Sequence, residues 1–230
     1  METTLLLEAK HLRDNRRTEA ASLPVVIDHF YHHMSCTNFF ILEYYSHGSL
    51  ENLLAKIHPI PLHRQHMAKI IHGVAMGIYF LHTQSIYHGN ICTANILVDE
   101  QMNARLSGFS KAQEVTPNMN ANTQLPTYAA PECLDPKAAP LPQDMFAIGI
   151  VLYRCMIGHM PKRKANNGGI DFSGLKESLS IPIDPKIWCT TQLLVSEHTN
   201  MRQTAGQLLH TSWIEDATKT PLTQLFNWDT

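Results

Sequence analysis

A chain of 230 residues with 44% hydrophobic and 17% charged side chains holds enough apolar mass for a substantial core, which excludes disorder as the default. Its formal net charge of −2, with no long run of Lys or Arg, leaves no electrostatic footprint for nucleic acid or for an anionic membrane surface. The five cysteines, Cys36, Cys92, Cys133, Cys155 and Cys189, are far apart and lack CxxC spacing, so free thiols in a reducing compartment are expected, most of them serving as small buried hydrophobes.

Met1 is followed at once by Glu2 rather than by a basic and then apolar leader, so no signal peptide is expected. The most apolar segment, 145-MFAIGIVLY-153, meets Arg154 long before it could cross a bilayer core of ~30 Å. The expected location is the cytoplasm, with the nucleus also open. Histidine is frequent, and His29, His32 and His33, or His58, His63 and His66, form loose groups. Neither group has a Cys or carboxylate at a zinc-site spacing, so no metal centre is expected from them.

In chain order, 4-TLLLEAKHLRD-14 puts Leu5, Glu8 and Leu12 on one helical stripe behind Thr4 as a cap, predicting a short amphipathic helix. Two runs with strand character, 24–33 and 38–45, flank the polar 34-MSCT-37 and predict an antiparallel hairpin. His47-Gly48-Ser49 ends that pattern, and 49-SLENLLAK-56 starts a helix with Ser49 at the capping position. Between 62 and 82, Met67, Ile70, Ile71, Val74, Ile78 and Leu81 recur at spacings of three and four, the pattern of a long amphipathic helix whose basic, His-rich face is expected in solvent.

Short β-like runs at 95–99 and 103–108 follow, with Glu100-Gln101-Met102 as the turn. Residues 107–124 are polar and unpatterned, predicting a long loop. The run 142–158 is apolar nearly all round, as a helix buried in the middle of a domain would be, and helical segments are expected at 187–195 and 202–214. The final stretch, 215–230, has no assignment.

Four motifs lie along this order. His88-Gly89-Asn90 precedes Asn95 and the strand 95-NILV-98; Gly108-Phe109-Ser110 follows the strand 104-ARLS-107; then come 126-PTYAAPE-132 and 144-DMFAIGIVLYRCMIG-158. Their order and spacing resemble the protein kinase family from its C-helix onward, over roughly residues 5–214. The resemblance implies an α+β fold with a truncated small lobe, made of the C-helix and the last two strands, and a mainly helical large lobe. The boundaries expected on that basis are 1–45 for the partial small lobe, 46–214 for the helical lobe and 215–230 for a tail. It further implies an ion pair between Glu132 and Arg202, a cap on the catalytic-loop backbone from Asp144, and a regulatory spine through Val26, Leu12, Phe109 and His88. Leu42, Glu43, Tyr45 and Leu97 fall where the family lines its nucleotide pocket.

Phosphoryl transfer works mainly by positioning and by neutralising charge on phosphates, so the residue types at these positions decide what can be done. Asn90 stands where the resemblance expects the proton-accepting Asp, and an amide takes no proton at neutral pH. Cys92 stands at the catalytic-loop Lys, and Gly108, without a side chain, at the metal-binding Asp. Asn95 is the one metal ligand retained, and a single neutral amide holds magnesium poorly. Glu8, if it is the C-helix glutamate, has seven residues before it, too few for a glycine-rich loop and a strand bearing the ATP-contacting Lys.

The degenerate positions His88, Asn90, Cys92, Asn95, Gly108, Phe109 and Ser110 therefore imply a pseudokinase that needs neither ATP nor magnesium and acts as a scaffold or regulatory partner in signalling. A protein partner is expected through the helical lobe or the strand 38–45, whose unpaired apolar edge invites another strand. Ser110, Thr116, Thr123 and Thr127 are hydroxyls open to phosphorylation. Two alternatives stay open: a weak or atypical ATP-dependent kinase, and a fragment of a longer kinase-like protein.

Overall fold

The computed structural model describes residues 22–116, 127–135, 137–165, 168–173 and 183–219. The helix expected at 4–14, with Glu8 and Leu12, lies outside the described residues, as do Thr123 and most of the 215–230 tail. The predicted hairpin is present as β1 (Val26–His32) and β2 (Thr37–Leu42), antiparallel with Phe30 opposite Phe39 and His29 opposite Phe40. The chain turns between them through a short 3₁₀ segment, His33–Ser35, closed by Cys36 in the left-handed region. Val26 is buried and Phe40 and Leu42 pack on the core, whereas Ile27, Phe30, Phe39 and Ile41 are exposed, with the two phenyl rings stacked at 5.2 Å.

Gly48–Ser49 forms β3, and Ser49 Oγ caps the next helix, α1 (Leu50–Ile57), by accepting a hydrogen bond from the Asn52 amide. The long helix α2 (Arg64–Thr83) follows. It packs on strand, helix and C-terminal elements, which is why its polar side is not simply solvated: His66 is only 4% exposed. The expectation of a wet His-rich face fails there, and burial, with positive charge from His63, Lys69 and His47 nearby, pushes the His66 imidazole down to about 4.

Next are β4 (Ile86–Tyr87), β5 (Ile96–Val98), β6 (Ala104–Leu106) and β7 (Gln113–Glu114). They form a β3-β5-β6 sheet and a separate β4-β7 pair. The turn between β5 and β6 is at the expected place, closed by Met102 with φ 61° and held by Asp99 Oδ1 accepting from the amides of Gln101 and Asn103. Within the loop expected at 107–124, a 3₁₀ turn spans Phe109–Lys111 before β7, and residues 117–124 lie outside the described residues. Polar, aperiodic sequence hid that short strand, whose two residues are fixed by β4 rather than by any pattern of their own.

The apolar run at 142–158 becomes α3 (Leu141–Ile157), buried on nearly every side. A small hairpin, β8 (Lys162–Arg163) and β9 (Ile170–Asp171), precedes α4 (Pro185–Leu194), which is capped by Asp184. The single helical segment expected at 202–214 is two helices, α5 (Ala205–Leu209) and α6 (Ser212–Lys219). Thr204 and Gln207 form a capping box at the start of α5, and Thr211 ends it by turning both its amide and its hydroxyl onto the Leu208 carbonyl. The cysteines are all free; only Cys155 is buried, Cys92 and Cys133 are half-buried, and Cys36 and Cys189 are exposed, fewer buried thiols than expected. No helix among the described residues is long and apolar enough to cross a membrane.

Candidate functional site

The loop 88–95 joins β4 to β5 and meets the loop 107–111 that leaves β6. What holds them together begins in α3. Asp144, 2% exposed, accepts from the His88 amide (2.8 Å) and the Gly89 amide (3.0 Å), and faces His82 Nε2 at 3.0 Å. A buried carboxylate is tolerable because its oxygens are met by donors. The Asp144 cap expected from the motif order is thus present.

His88 is fully buried and both ring nitrogens are used. Nε2 faces the Ser107 carbonyl at 3.1 Å, which can only accept, and Nδ1 receives the Asn90 amide at 3.1 Å. Those partners assign the neutral tautomer with its proton on Nε2. Burial, outweighing the opposite effect of Asp144, holds the imidazole below its ordinary range. Its ring meets that of Phe109, 1% exposed, at 5.1 Å, and Val26 is also in the core; Leu12 of the expected spine lies outside the described residues.

The two asparagines close a hydrogen-bonded circuit. Asn90 Nδ2 donates to the Gly108 carbonyl (3.3 Å), and Asn95 Nδ2 donates to the Asn90 carbonyl (2.8 Å). The Asn95 carbonyl in turn receives both the amide (2.8 Å) and hydroxyl (3.0 Å) of Ser107. Gly108 adopts φ 77°, and a Cβ placed on it would lie 2.4 Å from Asn95 Cγ and 2.6 Å from Nδ2 and Oδ1. The Asn95 amide therefore fills the space that a side chain at 108 would need. Gly89 is similarly placed: φ 69°, with Tyr87 Cε1 2.8 Å from an added Cβ. Ser107 and this packing of Asn95 against Gly108 were missed in sequence; a glycine between two loop segments was the available signal.

Every donor in the circuit is neutral. Cys92 is half-buried, and burial raises its thiol further from ionisation. Ser110 is exposed beyond Phe109. For a divalent ion the donor set is weak: position 108 offers no oxygen side chain, and what remains is the neutral amide oxygens of Asn90 and Asn95, whose Nδ2 groups donate to backbone carbonyls. Among the described residues no group of three His, Cys, Asp or Glu is placed to share an ion.

Leu42 ends β2, Glu43 and Tyr45 lie just beyond it, and Leu97 belongs to the separate β3-β5-β6 sheet, where it pairs with Ser49. The Glu43 amide donates to the Val25 carbonyl (2.9 Å), and the phenol of buried Tyr45 accepts from the Val25 amide (3.1 Å), while Glu43 itself is an exposed residue. A small cleft lies among Tyr87, Gly89, Lys111, Tyr128, Cys133 and Gln143.

Further along, Arg202 forms two bonds to Glu132 (2.5 and 2.8 Å), two more to the carbonyls of Ser196 and Pro142, and lies over the Phe146 ring at 4.9 Å. The ion pair expected between the 126–132 motif and the late helical region is present. A two-stranded hairpin above a helical body, a loop capped from a buried helix and a tethered 127–132 segment together define an α+β kinase-like architecture.

Comparison with known families agrees: the protein kinase domain model matches residues 10–224, and the chain belongs to that family. It is 28% identical over 195 residues to the human serine/threonine-protein kinase DCLK3, covering 79% of this chain and 30% of that protein. A probable inactive receptor kinase of Arabidopsis thaliana is 34% identical over 114 residues, 48% of this chain and 17% of its own length. A probable serine/threonine-protein kinase of Dictyostelium discoideum is 28% identical over 191 residues, 82% of this chain and 19% of its own. The chain thus spans less than a third of each of these relatives. The family works with ATP and magnesium.

Proposed function

We propose that this kinase-family domain is a pseudokinase, which acts by binding other proteins in signalling and not by transferring phosphate. The observation that carries the reading is the neutral circuit through His88, Asn90, Asn95, Ser107 and Gly108. Charge must be neutralised and a proton accepted in phosphoryl transfer; here the side chains at those positions are neutral amides or hydrogen, and each amide Nδ2 donates to a backbone carbonyl. Loss of general-base function alone costs about 10²–10⁴ in rate, and the missing metal ligand compounds it.

The proposed working surfaces are the helical lobe, taken as 46–214, and the strand 38–45 at the end of a partial small lobe, where Phe39 and Ile41 are 44% and 46% exposed. Residues 215–230 are read as a tail, and the cytoplasm as the place of action. Among the described residues β2 pairs with β1 alone, and an apolar strand with an open edge is the kind of element that another strand completes. Bound nucleotide separates this reading from a weak or atypical kinase, the function that the name of the human relative favours. Binding to the native state raises Tm by mass action. Millimolar ATP, with or without magnesium, should leave Tm unmoved, and no labelled phosphate should pass to the protein or a test peptide. A magnesium-dependent rise, with phosphate transfer abolished in Asn95→Ala, would overturn the reading.

A further inference from the structure

Residues 127–130 have no regular secondary structure, yet Tyr128 and Ala130 are buried, so something other than a β-ladder fixes them. Two arginines do so from two elements. From β8, Arg163 donates to the carbonyls of Thr127 (2.8 Å), Ala129 (2.9 Å) and Gly168 (2.8 Å), with its guanidinium 5.1 Å from the centre of the Phe146 ring. From α3, Arg154 donates to the Tyr128 hydroxyl at 3.0 Å and to Thr93 Oγ1 at 2.8 Å, while Thr93 and Tyr128 are themselves 2.8 Å apart. Thr93 is wholly buried, so its hydroxyl is a hub between the 88–95 loop and the 127–130 stretch.

Arg154 is held in turn by both carboxylate oxygens of Glu51, the Nη2 contact being 2.5 Å, and Thr93 Oγ1 also donates to Glu51 at 2.5 Å. A planar guanidinium facing a carboxylate through two parallel bonds is a geometry that lysine cannot copy. Glu51 reaches in from α1 and its side chain is 40% exposed, which makes α1 the accessible jaw of the arrangement.

From this geometry we infer that Arg154 and Arg163 form a two-point clasp which keeps residues 127–130 seated with no nucleotide, metal or phosphate, so that the face beside them is permanently presented. One arginine grips the backbone and the other the Tyr128 side chain. The clasp goes beyond the lack of catalysis proposed above: it concerns order in this stretch, and an active enzyme could equally possess it.

The test is amide hydrogen exchange over Tyr128–Cys133 in the whole chain, with the Leu208 amide in α5 as the reference; the Cys133 amide, bonded to the Ala130 carbonyl at 3.1 Å, is a local reporter. Arg154→Met or Arg163→Met should speed exchange there by about tenfold, and the pair together by more than a hundredfold, with Leu208 unchanged. Arg154→Lys should behave as Arg154→Met, and the reversed pair Glu51→Arg with Arg154→Glu should regain most of the protection. Should Arg154→Met not fold, Glu51→Gln and Tyr128→Phe preserve shape and give the same readout. Exchange unchanged in all these variants would overturn the clasp, as would wild-type protection that depends on added ATP and magnesium or is lost on phosphatase treatment.

Discussion

Placing a carboxylate back at position 108 asks whether the site lacks only a charge or has been filled as well. Gly108→Asp introduces a Cβ 2.4–2.6 Å from three atoms of Asn95 at a residue with φ 77°. The asparagine must swing out, losing its 2.8 Å bond to the Asn90 carbonyl, worth about 1 kcal/mol net. A non-glycine residue in the left-handed region adds roughly 1–2 kcal/mol. The sum, about 2–3 kcal/mol, corresponds to a fall in Tm of ~4–12 °C for a chain of this size. Gly108→Ala should cost a similar amount without adding charge. In the double variant Asn95→Ala with Gly108→Asp, the cost should be less than the sum of the singles, because the crowding partner is gone. Urea denaturation gives the stabilities and calorimetric titration with manganese gives the metal affinity. If Gly108→Asp is as stable as the parent and gains metal binding unaided, Asn95 is not a plug and the steric reasoning is refuted.

Asn90→Asp should destabilise more at pH 7.5 than at pH 5, because the 3.3 Å contact that now donates to the Gly108 carbonyl would become a repulsion relieved only by protonation; equal losses at both pH values in urea melts would contradict this. His66, held to about 4, and His72 and His88, held below the ordinary range chiefly by burial, stay neutral in the folded chain while the unfolded imidazoles take protons near pH 6.5. Stability is therefore full above pH 7 and falls as pH drops through 6.5 towards 4, His66 contributing about 1 kcal/mol of loss by pH 5 after solvent screening, and denaturation midpoints at pH 7.5, 6 and 5 should decline in that order. Arg202→Met leaves Glu132 without its guanidinium, at a cost of about 3–5 kcal/mol, whereas Glu132→Gln, which retains a hydrogen-bond acceptor, should cost less in the same assay.

Periodicity in the sequence exposed most of the helices, since α1, α2, α3 and α4 each bury an apolar stripe or, for α3, nearly the whole surface. It failed where local polar bonding decides. The break between α5 and α6 depends on Thr211 capturing the Leu208 carbonyl, and β7 exists because β4 offers it a partner. Motif order placed His88, Asn90, Asn95 and Gly108 in one neighbourhood, but residue identity could not show that Asn95 lies in the space above Gly108. That contact depends on two loops whose approach is fixed by Asp144 and Ser107. The clasp was hidden for the same reason: Glu51, Thr93, Tyr128 and Arg154 are separated by 26 to 103 residues and share no spacing pattern.

Charge loss and close packing in this site follow from one energetic constraint. Carboxylates at 90 and 108 would face each other's surroundings across a half-buried junction, where unpaired ions carry a desolvation cost of several kcal/mol each unless a cation offsets it. An amide at 90 and hydrogen at 108 carry no such cost, and the Asn95 amide lies in the space beside Gly108 while its Nδ2 donates to the Asn90 carbonyl. A carboxylate introduced at 108 would therefore also break a hydrogen bond. The elements that need no cation remain: Asp144 still caps two loop amides, Phe109 still packs on His88, and Arg202 still holds Glu132. A fold kept by these contacts retains its surface independently of its chemistry, which is the physical condition for a kinase-family domain to work as a binding module.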